Sequence, residues 1–118
     1  MKDTRYEMAV QYHRGGSSCS AAVLAAFASD AGMSETQARR EAGPYAGGGR
    51  GTCGAVAAAE IVLRRKYGAG EGDRLAQELD DRFRGKNGSV MCREIRGRRL
   101  RSCRGCVEDA AELLAELA

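Results

Sequence analysis

The sequence predicts an all-α protein, a small helical bundle with two central Ala-rich helices, and three observations carry that prediction. The 118 residues are rich in Ala and Leu, hold two Phe and no Trp, and include few β-branched side chains, a mix that favours helix over strand. Apolar residues recur at helical spacing. Capping residues precede those stretches, and glycines close several of them. The length suits one domain over residues 1–118, enough for one core and not for two.

Residues 3–13 space Tyr6, Ala9, Val10 and His13 at helical intervals before Arg14-Gly15-Gly16 ends the run. Ser17 and Ser18 suit the start of a helix over 19–31, apolar nearly all round and so predicted to be buried, with Gly32 as its stop. Ser34-Glu35-Thr36-Gln37 reads as a capping box opening a short helix to Ala42. Residues 43–52 hold the only proline and a glycine cluster, which predicts a loop with unusual backbone angles. A helix over 53–67 follows, apolar at its start and basic at Arg64, Arg65 and Lys66, where cations suit the helix dipole.

After a glycine-rich linker, residues 73–83 carry Leu75, Leu79 and Phe83 on one stripe, and an exposed Leu75 and Leu79 would offer a face to a second copy of the chain. A short helix over 89–96 and a basic GRRLR connection lead to a last helix over 103–117. That helix buries Val107, Ala110, Ala111 and Leu114 and turns Glu108, Asp109, Glu112 and Glu116 to water.

The net charge is only +3, so the chain as a whole is not a polycation built for nucleic acid. Its cations are 16 Arg against 3 Lys, a bias that makes a local Arg cluster less informative. The N-terminus is charged and lacks the apolar stretch of a secretory signal, and no apolar run approaches the roughly 20 residues that span a bilayer. The expected setting is cytoplasmic, with no membrane partner. Five cysteines there point away from structural disulfides and towards metal binding or redox work, and the odd count agrees.

The cysteine positions are the most informative feature. Cys19, Cys53 and Cys103 each follow a hydroxyl residue able to cap a helix (Ser18, Thr52, Ser102), and Cys92 lies three residues after Ser89. A helix start offers free N–H groups and a positive dipole end, so a thiolate there is stabilised and its pKa falls. A single cysteine would read as a small buried apolar residue; four at helix starts read as a group. Arg93, Arg96, Arg101 and Arg104 would favour thiolates further, or form ordinary solvated charge.

Four of these segments carry a family resemblance. Cysteine ahead of an Ala-rich helix (SSCSAAVLAAFASDAGMSE), GGGRGTCGAVAAAEIVLRRKYG, an isolated cysteine in SVMCREIRG, and Cys103 ahead of VEDAAELLAEL together resemble the C-GCAxxG-C-C family of redox-active proteins. The resemblance runs from about Gln11 to the end. It implies that the family's four cysteines are Cys19, Cys53, Cys92 and Cys103, acting as redox thiols or as ligands of a metal or cofactor. Relatives resemble a domain of split-Soret cytochromes, which implies an electron-transfer setting, a redox partner protein and an iron–sulfur cluster as a cofactor to test. The chain departs from the motif with Thr52 and Ala57 where glycines are expected and Gly54 where Ala is expected.

Cys106 is additional to that pattern and creates Cys103-Arg104-Gly105-Cys106. The two cysteines point about 300° apart round the helix, close enough to reach one site, which makes Cys106 a candidate resolving thiol. No βαβ pattern supports a thioredoxin fold, and Val107 in place of His excludes c-type haem attachment. Residues 49–54 match GxGxxG formally, but no strand precedes them, so dinucleotide binding is rejected. His13, the sole histidine, reads as surface or half-core rather than as a ligand. Residues 92–106 contain six arginines, and the alternative function is an Arg-rich nucleic-acid or anion-binding module with structural cysteines. The absence of interleaved aromatics and the acidic last helix weigh against it.

Overall fold

Local capping starts four of the helices. Asp3 accepts the Arg5 N–H at 2.8 Å and opens α1, Thr4–Arg14. Ser18 accepts the Ala21 N–H and opens α2, Cys19–Ala26; Ser34 accepts the Gln37 N–H and opens α3, Glu35–Ala42; Ser102 accepts the Gly105 N–H at the head of the last helix. The capping box at Ser34 is half-made, because the Gln37 amide donates to Glu41 instead of reaching back.

The computed structural model describes residues 3–118, and its remaining helices are α4, Gly54–Tyr67, α5, Glu71–Asn87, α6, Cys92–Gly97, and α7, Cys103–Leu117. Among the described residues no strand forms. One isolated antiparallel bridge joins Thr52 to Met91. The all-α expectation is met. No helix among the described residues is long and apolar enough to cross a membrane.

Several boundaries differ from the sequence reading. The helix expected over 19–31 ends at Ala26, where the chain tightens into short turns that drive Phe27 into the core. The expected loop over 43–52 begins as a 3-10 turn over Gly43–Gly48, with Pro44 at its start and Gly47 at a left-handed φ of 60°. Thr52 does not cap α4; it is engaged in the bridge, and Cys53 occupies the cap position. The short helix expected over 89–96 starts at Cys92, because Ser89 turns the chain by accepting the Met91 N–H.

α5 runs longer than expected at both ends. Gly72 lets it start hard against α4: a Cβ there would lie 2.8 Å from the Arg64 Cα. α4 packs against α5, α2 and α7, and burial runs along almost all of α2 and the first half of α4. Leu79 and Phe83 are fully buried and Leu75 is nearly so, which corrects the idea of an exposed leucine face for a second subunit. Those side chains complete this chain's own core.

Candidate functional site

Four helix starts meet at one end of the bundle. Cys19 is the first residue of α2, Cys53 caps α4, Cys92 opens α6 and Cys103 opens α7, with Cys106 one turn further on. A short antiparallel pairing sets two of these side by side. The Val90 carbonyl accepts the Cys53 N–H at 2.7 Å, and the Gly51 carbonyl accepts the Cys92 N–H at 3.0 Å. All five cysteines line one cavity of about 30 Å³, together with Ile95, Arg96 and Arg101.

Glycines make this convergence sterically feasible. A Cβ on Gly54 would stand 2.5 Å from the Cys19 sulfur and 2.7 Å from the Tyr45 carbonyl, so Gly in place of the motif's Ala lets the start of α4 pack directly on the Cys19 sulfur. A Cβ on Gly48 would likewise overlap the Cys92 side chain. Gly105 leaves room for the Arg101 guanidinium, which lies over the first turn of α7 and pairs with Asp109 at 3.2 Å.

The sulfurs interact in two pairs. Cys106 acts on Cys53 to lower its pKa, and Cys19 acts on Cys103 to raise it. The first of these is the main reason the Cys53 pKa falls to about 7; the N–H groups of Val56 and Ala55 and the charge of Arg96 add to it, against the cost of burial. Cys106 is pushed up by the neighbouring Cys53, and then by burial. Burial raises Cys92, and partial loss of water round the sulfur, with the neighbouring Cys19 and Cys53, pushes Cys103 up to about 11.

The expectation of uniformly depressed thiols at helix starts is therefore corrected for Cys92 and Cys103. Several anions cannot share a small, poorly hydrated space, so one thiolate raises the cost of the next. Cys53 is lowered to about 7, whereas Cys92, Cys103 and Cys106 are raised.

Exposure also divides the set. Cys19, Cys53 and Cys106 are buried, Cys92 is half-buried with its Sγ 3.5 Å from the Gly47 carbonyl, and Cys103 is exposed. The Cys103 Sγ lies 3.6 Å from His13 Nε2. His13 is thus half-buried, as its sequence position suggests, but it stands at the rim of the site, a contact that no local pattern announces. Of the six arginines in residues 92–106, Arg96 and Arg101 line the thiol cavity, and Arg101 and Arg104 pair with carboxylates of α7.

Soft sulfur donors suit iron or another thiophilic metal. The space does not suit a cluster: about 30 Å³ holds one or two waters, not several irons and sulfides. Among the described residues no three Cys, His, Asp or Glu side chains are grouped to hold one metal ion. The arrangement as folded does not fit an iron–sulfur cluster.

A family model described as "Putative redox-active protein (C_GCAxxG_C_C)" matches residues 17–117. No curated protein matches the chain, and no solved structure does.

Proposed function

Because the chain belongs to the C-GCAxxG-C-C family of redox-active proteins, we propose that its redox chemistry is dithiol–disulfide exchange centred on Cys53 and Cys106. The observation that carries this reading is that Cys53 and Cys106, both buried, line the same small cavity, where Cys106 holds the Cys53 pKa down at about 7. One sulfur is then a ready nucleophile, and the other lines the same cavity with its proton still on.

The step balances within the thiols and one external disulfide. A thiolate of the cluster attacks a disulfide RS–SR, forming a mixed disulfide and releasing RS⁻. Exchange within the cluster expels the second RS⁻ and brings the oxidation to Cys53, and Cys106, losing its proton, closes a Cys53–Cys106 bond as the first cluster sulfur leaves. Two electrons pass from the dithiol to the disulfide, and the reverse reaction oxidises two external thiols. Cys19, Cys92 and Cys103 line the same cavity and relay the exchange outward.

A second reading keeps Cys19, Cys53, Cys92 and Cys103 as ligands of an iron–sulfur cluster or other thiophilic metal. It rests on five soft sulfurs round one cavity and requires those side chains to retreat. The Arg-rich nucleic-acid reading is weakened by the pairing of Arg101 and Arg104 with α7 carboxylates, which leaves less free basic surface.

Anaerobic purification with iron and sulfide analysis, followed by mild oxidation and peptide mapping, separates these readings. Metal-free protein that reversibly forms a Cys53–Cys106 disulfide is the expected result. Stoichiometric iron and sulfide, or thiols inert to oxidation, would overturn it.

A further inference from the structure

Beside the thiol cavity runs an open groove of about 650 Å³, within the size range of small-molecule sites. Its walls are the glycine turn containing Gly47, Gly48 and Gly51 on one side and the start of α6 on the other. Gly47, Cys92 and Arg96 line both spaces, so Cys92 stands at the junction between them. The groove and the cavity meet at a sulfur.

The chemistry of the groove is specific. Arg93 and Arg96 line it, both exposed, and among the described residues neither makes an ion pair with a carboxylate. The one acid in its lining, Glu94, accepts the Ser89 hydroxyl at 2.7 Å. Met91, 40% exposed, adds an apolar patch on the same wall, and a Cβ on Gly51 would press on its terminal methyl at 3.2 Å. Glycines at these positions leave backbone as the opposite wall, which gives an extended ligand room next to the sulfur.

We propose that this groove binds a small anionic disulfide or thiol, held through its carboxylates by Arg93 and Arg96 with its sulfur against Cys92. Guanidinium groups pair carboxylates in planar two-point fashion, and Met91 covers the ligand's apolar part. This inference rests on the dithiol reading and names its substrate class and point of entry. Cys92, giving its proton to solvent, attacks the bound disulfide and releases one RS⁻. Cys53 attacks the Cys92 sulfur and releases the second. Cys106 then closes on Cys53, and Cys92 takes up the proton that Cys106 gives.

The test compares an anionic disulfide, dithiobis(nitrobenzoate), with the neutral dithiodipyridine on the reduced full-length protein at low salt. The measured quantity is the ratio of their reaction rates. Arg93→Glu should lower that ratio about tenfold, and the preference should fade as salt screens it. Arg98→Glu, the same charge change on the neighbouring residues but outside the groove lining, should leave the ratio as it is. Cys92→Ser should abolish the preference.

A ratio unmoved by Arg93→Glu, or moved equally by Arg98→Glu, removes the groove assignment even if a protein disulfide forms. If neither probe leaves a protein disulfide, the dithiol reading fails and this inference falls with it.

Discussion

Cys53 and Cys106 line the same small cavity, and Cys106 does most to bring the Cys53 pKa down to about 7. Cys106→Ala should therefore move the Cys53 titration from about 7 upward by one to two pH units, towards the ordinary thiol value. Cys106→Ser, which keeps a donor, should move it less. The pH dependence of thiolate absorbance, with alkylation mapped to Cys53, reads this directly. A titration unchanged in Cys106→Ala would remove Cys106 from the mechanism.

His13 reaches Cys103 from the end of α1, with Nε2 3.6 Å from the sulfur. Cys103 holds its proton at neutral pH, pushed up to about 11 by partial loss of water round its sulfur and by Cys19 and Cys53, so an imidazole at that distance is placed to take the proton as the sulfur reacts. His13→Ala should slow alkylation of Cys103 at neutral pH on the order of threefold to tenfold and leave the Cys53 titration in place. His13→Gln, which restores a polar contact without a base, should not recover the rate. Recovery by Gln would mean that His13 only orients the side chain.

Gly54 is where the fold and the site make the same demand. An Ala side chain would meet the Cys19 sulfur at 2.5 Å and the Tyr45 carbonyl at 2.7 Å, so Gly54→Ala should cost about 1–3 kcal/mol and disturb the approach of α2 to α4. Gly43 has open space beside it and a φ of −49°, so Gly43→Ala should be close to neutral. Chemical denaturation of both variants checks the contrast. Equal effects would mean that the contact at Gly54 relaxes freely.

Away from the thiols, Glu60 on α4 is raised from 4.5 to about 7, first by burial and then by the charge of Asp80. Between those two values the folded state binds more protons than the unfolded one, so this group makes stability fall as pH rises through that window. The penalty is complete above about pH 7 and absent below about pH 4.5. Glu60→Gln should gain on the order of 1 kcal/mol at about pH 8, allowing for solvent screening of this part-exposed group, and almost nothing at about pH 4.5. Urea titrations at the two pH values decide it; a gain that does not vary with pH would point to packing instead of charge.

The sequence by itself determined the helices and where most of the sulfurs enter them. Ser18, Ser34 and Ser102 cap their helices through hydrogen bonds spanning three residues, and the stripe of Leu75, Leu79 and Phe83 follows from helical spacing alone. Such information is local, so it is readable in order along the chain. It also placed four cysteines at helix starts, although Thr52 misled as a cap because its backbone is claimed by Met91, distant in sequence.

Only the tertiary structure decided what those sulfurs do to one another. Charge and hydrogen bonding act through space: whether Cys53 or Cys103 ionises depends on what Cys106, Arg96 and Cys19 bring within reach. His13 and Cys103, 90 residues apart, meet because α1 and α7 pack together. Packing of α5 against α4 and α7 buried Leu75 and Leu79, for an apolar stripe states that it must be covered and not by which surface.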